Sequence, residues 1–116
     1  MQRLFVYGSL KRGERHHAEL AGARFVRVAR TAPRYALVLA GEYPGLVAEG
    51  ASRVCGEVFE VDVASLAGLD AFEEVPDSYL RDWIELDDGE RVLAYLLAPR
   101  LAREAVPLAS DCWPIG

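Results

Sequence analysis

The sequence predicts an α+β fold in one domain, residues 1–116, with a sheet of five or six short strands and one definite helix. Residues 54–61 alternate between apolar and polar side chains over most of their length, as in a strand with one buried face. Residues 64–75 carry an apolar stripe at helical spacing. Asp88 and Gly89 join two further strand patterns in a typical hairpin turn. So many short strands in a small chain favour a closed or strongly curved sheet.

The predicted strands are rich in β-branched and aromatic residues and are bounded by glycine, proline or charged residues. They cover residues 4–6, 25–29, 35–39, 54–61, 79–86 and 91–98. A short helical turn is predicted over residues 16–20 and ends at Gly22. Pro44 and Gly45 occupy the second and third positions of a predicted type II turn. The tail from Pro99 onward has no clear period.

The composition argues against several classes of protein. The net charge is −5 and the 13 basic residues are spread along the chain, without the clustered basic face of a nucleic-acid-binding protein. No apolar run is long enough to span a membrane, and the first residues do not resemble a secretory signal. We therefore expect a cytoplasmic protein, monomer or homodimer, with no nucleic-acid or membrane partner. Its two cysteines are expected to be reduced, with Cys55 in the core and Cys112 in the tail.

The first strand pattern runs into a short polar loop, Tyr7, Gly8, Ser9 and Leu10. Gly8 has backbone freedom that other residues lack, and it lets a ligand approach the main chain closely. Consecutive backbone N–H groups in such a loop can hold an anionic or carbonyl oxygen. The alternative is an ordinary turn from a strand into a loop, and the four residues by themselves do not decide between the two.

The predicted helix, capped by Asp62, places two neighbouring glutamates in different surroundings. Its buried stripe consists of Leu66, Leu69 and Phe72. At about 100° per residue, Glu73 lies about 40° from the centre of this stripe and Glu74 about 140° away. Asp70 is intermediate. Glu73 is therefore predicted to lie on the apolar side, and Glu74 is predicted to face water.

A carboxylate on an apolar face loses hydration, which raises its pKa. Such a group can accept and return a proton near neutral pH, as a general base and acid must. Glu73 is thus the candidate catalytic residue. The alternative is that Glu73 lies at the rim of the stripe and forms an ion pair with an arginine such as Arg81.

No metal site is predicted. His16 and His17 are adjacent, so their side chains diverge, and with the two cysteines they do not show the spacing of zinc ligands. The glycines do not form a phosphate-binding or dinucleotide-binding loop, and no serine nucleophile motif is present.

Several motifs in the same order resemble the γ-glutamylcyclotransferase family, including its AIG2-like and γ-glutamylamine cyclotransferase branches. The motifs are Tyr7-Gly8-Ser9-Leu10, Tyr43-Pro44-Gly45-Leu46-Val47, Gly56-Glu57-Val58-Phe59, Leu69-Asp70-Ala71-Phe72-Glu73 and Tyr79-Leu80-Arg81. The resemblance covers about residues 3–98. It implies a small mixed closed β-barrel with flanking helices and a cavity at one end.

The resemblance also implies roles for individual residues. The loop Tyr7, Gly8, Ser9 and Leu10 would bind the glutamyl group, mainly through main-chain N–H groups. Glu73 matches the family's catalytic glutamate, and Tyr95 resembles its substrate-contacting tyrosine on a late strand. Tyr79 and Arg81 are candidate supporting residues. The implied substrate is a small γ-glutamyl amide, which is converted to 5-oxoproline and a free amine without a metal or an organic cofactor.

Two departures from the family pattern are visible. Glu74 stands where the family usually has glycine, and Ser9 stands where many members have threonine. The sequence does not reveal the group attached to the γ-glutamyl unit, which could belong to an amine, a dipeptide or a glutathione-like compound. The alternative function is a non-catalytic small-molecule binding domain on the same fold.

Overall fold

A computed structural model describes residues 1–114 of the chain as one large sheet with short helices. The strands are β1 (Gln2–Val6), β2 (Arg24–Arg30), β3 (Tyr35–Ala40), β4 (Tyr43–Ser52), β5 (Cys55–Val61), β6 (Tyr79–Glu85), β7 (Arg91–Leu97) and β8 (Val106–Pro107). The helices are α1 (Val63–Phe72) and α2 (Pro99–Ala102), and His17–Leu20 form a 3-10 turn. All six predicted strands are present, with two-residue β8 and the longer β4 in addition.

The sheet is mixed, and β7 is its central strand. The order along the sheet is β2-β5-β1-β7-β4-β3-β8, and β6 also pairs with β7. Strands β1 and β4 run parallel to β7, whereas the other pairs are antiparallel. Since β6 covers one edge of β7 along its whole length, β1 and β4 share the other edge. Strand β1 pairs at Leu93 and Ala94, and β4 pairs at Leu96.

The predicted α+β class with a mixed sheet is confirmed, but the closed barrel is not. Within residues 1–114, the two ends of the strand order are not paired with each other. A single bridge, from Thr31 to Leu86, connects the residues that follow β2 and β6. The two halves of the sheet are therefore joined through β7. In the described part of the chain, its end strands β2 and β8 are not hydrogen-bonded to each other.

Strand β1 is buried on both faces and separates two apolar clusters. Phe5 belongs to one cluster, while Leu4 and Val6 belong to the other, as the two-residue period of a strand requires. Leu66 and Leu69 of α1 pack into the second cluster. Within residues 1–114, neither helix has the length and apolarity that crossing a membrane requires.

The predicted turn at Pro44 and Gly45 is wrong, because both residues lie in β4. The reversal occurs three residues earlier, where Ala40 pairs with Tyr43 and Gly41 takes a positive φ of 62°. Two-residue hairpin loops favour this left-handed conformation. Gly45 is needed for another reason: a Cβ atom there would lie 2.9 Å from Leu97 Cδ2 on β7.

The helix prediction is confirmed in its start and wrong at its end. Asp62 caps α1 by accepting a hydrogen bond from the Ser65 N–H at 2.6 Å. The helix ends at Phe72 rather than at residue 75, and the Phe72 side chain is 37% exposed instead of buried. In the last turn of the helix, Phe72 packs against the His16 ring instead of entering the core.

The expectation of reduced thiols is also contradicted by the structure, which pairs Cys55 with Cys112 in a disulfide. The tail runs beside the start of β5, where the Cys55 N–H donates to the Asp111 carbonyl at 2.9 Å. This contact brings the two Cα atoms within 5.1 Å. Cys55 is half-buried at the end of its strand and is not part of the core.

Candidate active site

A cavity of about 320 Å³ opens where β1 and β4 meet along the shared edge of β7. The carboxyl end of β1, the start of β4, the end of α1 and the start of β6 contribute to its walls. All the predicted site residues except one line it: Tyr7, Gly8, Ser9, Leu10, Glu73, Tyr79 and Tyr95. Arg81 lies outside the lining. The structure thus brings together residues that are up to 88 positions apart in sequence.

Tyr7 connects the three strands that form the cavity. Its buried hydroxyl donates to the Tyr95 carbonyl on β7 at 2.6 Å and accepts from the Leu46 N–H on β4 at 3.1 Å. Because both bonds are buried, they fix the point at which β1 ends relative to its neighbours. Tyr7 therefore holds the cavity wall in place.

The loop after Tyr7 presents free backbone donors. The Gly8 and Ser9 carbonyls accept from Lys11 and His16, but the N–H groups of Gly8, Ser9 and Leu10 have no acceptor among residues 1–114. Side-chain substitution is restricted at Gly8, where a Cβ atom would lie 2.8 Å from Pro44 Cγ. These consecutive donors at a cavity wall suit a carboxylate or carbonyl oxygen.

The conformation of this loop is held by two histidines. His16 Nδ1 lies 3.0 Å from Ser9 Oγ, and the His16 ring packs edge-on against Phe72 with 5.2 Å between ring centroids. His17 Nδ1 lies 2.8 Å from the Leu10 carbonyl oxygen. The adjacent histidines thus support the loop from different sides. Among the described residues, no group of histidine, cysteine and acidic side chains has the arrangement of a metal site.

Glu73 follows the last residue of α1 and is half-buried in the cavity wall. Its N–H still donates to the Leu69 carbonyl at 2.8 Å, so it follows helical geometry even though the helix ends one residue earlier. Burial raises the pKa of the Glu73 carboxyl to about 7. Within residues 1–114 this carboxyl has no ion pair.

The alternative of an ion pair between Glu73 and Arg81 is wrong. Arg81 Nη1 instead lies 3.1 Å from Asp70 Oδ2. The other oxygen of Asp70 accepts from the Tyr95 hydroxyl at 2.7 Å. Arg81 thus acts on the cavity only indirectly, through Asp70 and Tyr95.

Glu74 adopts a backbone conformation that favours glycine. Its φ is 55°, in the left-handed region, and its N–H donates to the Ala71 carbonyl at 3.2 Å. The next N–H, that of Val75, donates to the Asp70 carbonyl at 3.0 Å. These two bonds form the C-terminal motif in which glycine usually occupies the left-handed position. Glu74 is exposed, as predicted.

Tyr79 and Tyr95 present hydrogen-bond acceptors to the cavity. The Tyr79 hydroxyl donates to the Pro44 carbonyl at 2.8 Å, and the Tyr95 hydroxyl donates to Asp70. Burial raises the pKa of both phenols, so they remain protonated at neutral pH. With its single proton committed, each oxygen can offer only lone pairs to a bound molecule.

Sequence reasoning missed Asp70, Tyr43 and His16 as parts of the site. Asp70 fixes the proton of Tyr95, while Tyr43 and His16 line the cavity. The intermediate position of Asp70 on the helical wheel was a usable signal, since it placed the carboxylate beside the apolar stripe. Nothing local in the sequence indicates that Tyr43 faces the same cavity, because this depends on the pairing of β4 with β7.

The fold and cavity define a small α+β protein suited to acid–base chemistry on a small polar molecule. A buried carboxyl with a raised pKa, beside free backbone donors, is typical of such sites. Residues 4–114 match the family described as Gamma-glutamyl cyclotransferase, AIG2-like. The chain therefore belongs to this family, and the predicted resemblance is confirmed.

Similar proteins occur in bacteria and animals. A protein of Vibrio cholerae named as a candidate gamma-glutamylcyclotransferase is 49% identical over 90 residues, which cover 77% of each chain. Gamma-glutamylaminecyclotransferase B of Danio rerio is 42% identical over 96 residues, covering 75% of this chain and 50% of the zebrafish protein. The match thus spans about half the length of that relative. An AIG2-like protein of Mus musculus has a solved structure with a TM-score of 0.78 and 31% identity, covering 97% of this chain and 88% of the mouse chain.

Proposed function

We propose that this chain is a cyclotransferase that converts a γ-glutamyl amide to 5-oxoproline and a free amine, with Glu73 as the general base and acid. One observation carries the proposal: the Glu73 carboxyl lies in the cavity without an ion pair, and burial raises its pKa to about 7. The names of the relatives, which include gamma-glutamylamine cyclotransferases, support the reaction.

The chemistry requires proton transfers in both directions, which one carboxyl can perform in turn. The substrate's α-ammonium first gives a proton to the Glu73 carboxylate, which frees the nitrogen lone pair. The α-nitrogen then attacks the γ-carbonyl carbon of the same molecule, and a five-membered ring forms. As the tetrahedral intermediate collapses, the amide C–N bond breaks and the departing nitrogen receives a proton from Glu73. The positively charged ring nitrogen then gives its extra proton to the regenerated Glu73 carboxylate, which passes it to the released amine or to water. A carboxyl with a pKa near 7 suits both the uptake and the return of protons at neutral pH.

The distribution of donors and acceptors favours one orientation of the glutamyl group. The free N–H groups of Gly8, Ser9 and Leu10 suit its α-carboxylate or the developing oxyanion on the γ-carbon. The phenol oxygens of Tyr79 and Tyr95 offer lone pairs, which suit the α-ammonium next to Glu73.

This arrangement accelerates the reaction chiefly by holding a flexible chain in a curled conformation. Ring closure requires the α-nitrogen to approach the γ-carbonyl carbon, and an extended glutamyl chain keeps them apart. Fixing both ends of the glutamyl group removes much of the entropic part of the barrier. The reaction needs neither a metal nor an organic cofactor.

The first test is the release of 5-oxoproline from a panel of γ-glutamyl compounds. The panel contains γ-glutamyl-alanine, γ-glutamyl-ε-lysine and glutathione, and each is incubated with the wild-type protein. We expect release from at least one compound. If no member releases 5-oxoproline while 5-oxoproline itself binds, the cavity binds small molecules without catalysing the reaction.

The role of Glu73 is tested with matched variants that each replace one carboxyl by an amide. We expect Glu73→Gln to keep the fold and lose at least about 100-fold in kcat, since general acid–base catalysis contributes on this order. Glu74→Gln should lose much less. Glu49→Gln, at an exposed position outside the cavity, is the control for the loss of one negative charge. Equal kcat values for wild type and Glu73→Gln would overturn the assignment.

A further inference from the structure

The charged groups of the cavity are unequally distributed. Among residues 1–114, the lining contains two carboxyls, those of Glu73 and Glu74, and the imidazole of His16. Among the residues that the structure describes, this lining contains no lysine or arginine. A carboxylate on the leaving group of a substrate would therefore enter this cavity without a basic side chain to bind it.

Three of the basic residues that lie close in sequence to the cavity lining are engaged elsewhere. Arg81 pairs with Asp70, and Arg100 donates to the Asp77 carbonyl at 3.3 Å. Lys11, just after the loop, donates to the Trp113 carbonyl. None of these cations lines the cavity.

Glu74 provides a fixed negative charge in this wall. The Ser78 hydroxyl donates to Glu74 Oε1 at 2.7 Å, and both residues line the cavity. Within the described part of the chain, Glu74 forms no ion pair. Because the side chain is exposed, it lies on the solvent side of half-buried Glu73. One hydrogen bond thus orients its carboxylate, which has no cationic partner among the described residues.

Local stability does not explain a glutamate at this position. The left-handed φ of 55° is unfavourable for any residue with a Cβ atom. A negative charge just beyond the C-terminus of α1 is also unfavourable, since that end of a helix carries partial negative charge. The neighbouring carboxyl of Glu73 adds repulsion whenever it is ionised. A residue unfavourable on three counts and exposed in a cavity wall points to a role in binding.

We propose that Glu74 selects γ-glutamyl amides whose leaving amine carries a second positive charge, such as the monoamides of short diamines. The inference rests on the proposed function, because it assigns Glu74 to the leaving-group side of the same cavity. Glu73 exchanges protons with the reacting atoms, whereas Glu74 binds the distant ammonium. Leaving groups that end in a carboxylate, as in glutathione, are disfavoured by the same charge.

The test uses three γ-glutamyl amides of similar length that differ in terminal charge. Their amines are 1,4-diaminobutane (cationic), pentylamine (neutral) and 4-aminobutyrate (anionic). We expect kcat/KM to fall from the cationic to the neutral and then the anionic amide, on the order of tenfold in all, as exposed ion pairs contribute. The preference should weaken at high salt, because added ions screen exposed charges.

Glu74→Gln is the variant that tests the residue, because glutamine can still accept the Ser78 hydrogen bond. In this variant the cationic and neutral amides should have nearly equal kcat/KM. Glu49→Gln removes the same charge outside the cavity and should keep the wild-type order. Equal kcat/KM values of wild type for the three amides would overturn the inference. So would a Glu74→Gln variant that keeps the wild-type order of kcat/KM.

Binding separates this inference from the proposed reaction. Dissociation constants of the three amides are measured with Glu73→Gln, which should turn them over at least about 100-fold more slowly than wild type. In Glu73→Gln, the cationic amide should bind most tightly and the anionic amide most weakly. In the double variant Glu73→Gln, Glu74→Gln, this order of dissociation constants should be lost. If wild type turns over the neutral amide but binding shows no dependence on the charge of the amide, the role of Glu74 is refuted and the proposed reaction is not. A charge order in binding with no turnover by wild type would refute the reaction alone, and failure of all three amides to bind would refute the role of Glu74.

Discussion

At the scale of single residues, the burial of one carboxyl sets the pH at which the site can work. Glu73 has no ion pair in the described structure, so burial acts on its pKa without opposition from a neighbouring cation. The nearest arginine on β6, Arg81, is held by Asp70. This division of charges keeps Glu73 able to exchange a proton near neutral pH.

The pH dependence of activity follows from this raised pKa. The free enzyme must hold Glu73 ionised to accept the substrate's proton, so kcat/KM should rise with pH and level off above about 7. With an exposed glutamate as the base, the same rise in kcat/KM would occur at about pH 4.3. The measurement is kcat/KM for one active amide between about pH 3.5 and about pH 9, a range that covers both values. An acid limb near the value of an exposed glutamate would contradict a buried general base.

The same burial should reduce stability at neutral pH. The folded-state pKa of Glu73 lies above its ordinary value, so the penalty is absent below about 4.5, grows up to about 7 and is complete above it. Replacing this carboxyl by an amide removes the penalty. Glu73→Gln should therefore unfold with a free energy higher by about 1–3 kcal/mol at pH 8, and match wild type near pH 4.

Urea denaturation at the two pH values measures this difference. Glu49→Gln is the control, because its exposed carboxyl should give little difference at either pH. A Glu73→Gln variant less stable than wild type at pH 8 would show that the ionised carboxyl is stabilised by its surroundings.

At the scale of elements, two glycines show how differently a strand and a helix tolerate a methyl group. Gly56 lies in β5, where a Cβ atom would clash with the Val6 carbonyl oxygen and lie 2.6 Å from Phe5 Cζ. Gly68 lies in α1, where a Cβ atom would have no neighbour within 4 Å. The close approach of β5 to β1 therefore depends on Gly56, whereas α1 does not require Gly68.

Alanine at each position gives a matched pair of variants. Gly56→Ala should lower the free energy of unfolding by about 3 kcal/mol, because neither the backbone oxygen nor the packed ring can move away easily. Gly68→Ala should raise it by about 1 kcal/mol, through the higher helix propensity of alanine. Urea denaturation of both variants at about pH 7 would measure these two changes in the free energy of unfolding. Similar stabilities of the two variants would contradict the close packing of β5 on β1.

At the scale of the whole molecule, the disulfide connects the tail to the start of β5. It joins residues 57 positions apart, and the tail then provides the Trp113 carbonyl to Lys11, next to the loop Tyr7–Leu10. A crosslink across a loop of this length restricts the unfolded chain considerably. The tail is thus fixed to the sheet although its sequence has no regular pattern.

Thiol titration tests this crosslink. The denatured protein should react at no thiol before reduction and at both cysteines after it. Cys112→Ser should lower the free energy of unfolding by about 2–4 kcal/mol relative to the oxidised protein. In the presence of reductant, the variant and wild type should be nearly equal in stability. Two reactive thiols in the protein before any reduction would show that the cysteines are unpaired.

Much of the site could be predicted because its features are local. The loop Tyr7–Leu10 follows an apolar strand, and helical geometry places Glu73 near the stripe of Leu66 and Leu69. That placement held although α1 ends at Phe72, since the Glu73 N–H continues the helical hydrogen bonding to Leu69. The turn at Pro44 could not be predicted correctly, because the position of Gly41 and the pairing of β4 with β3 decide where the chain reverses.

The sequence alone determined the α+β class, the six main strands, the start of α1 and the separation of half-buried Glu73 from exposed Glu74. These features follow from periods of about 2 and 3.6 residues and from residues that favour caps and turns. Only the tertiary structure decided that β1 and β4 share one edge of β7, that Arg81 binds Asp70, and that Cys55 meets Cys112. These contacts join distant parts of the chain, so they depend on how whole strands pair and pack.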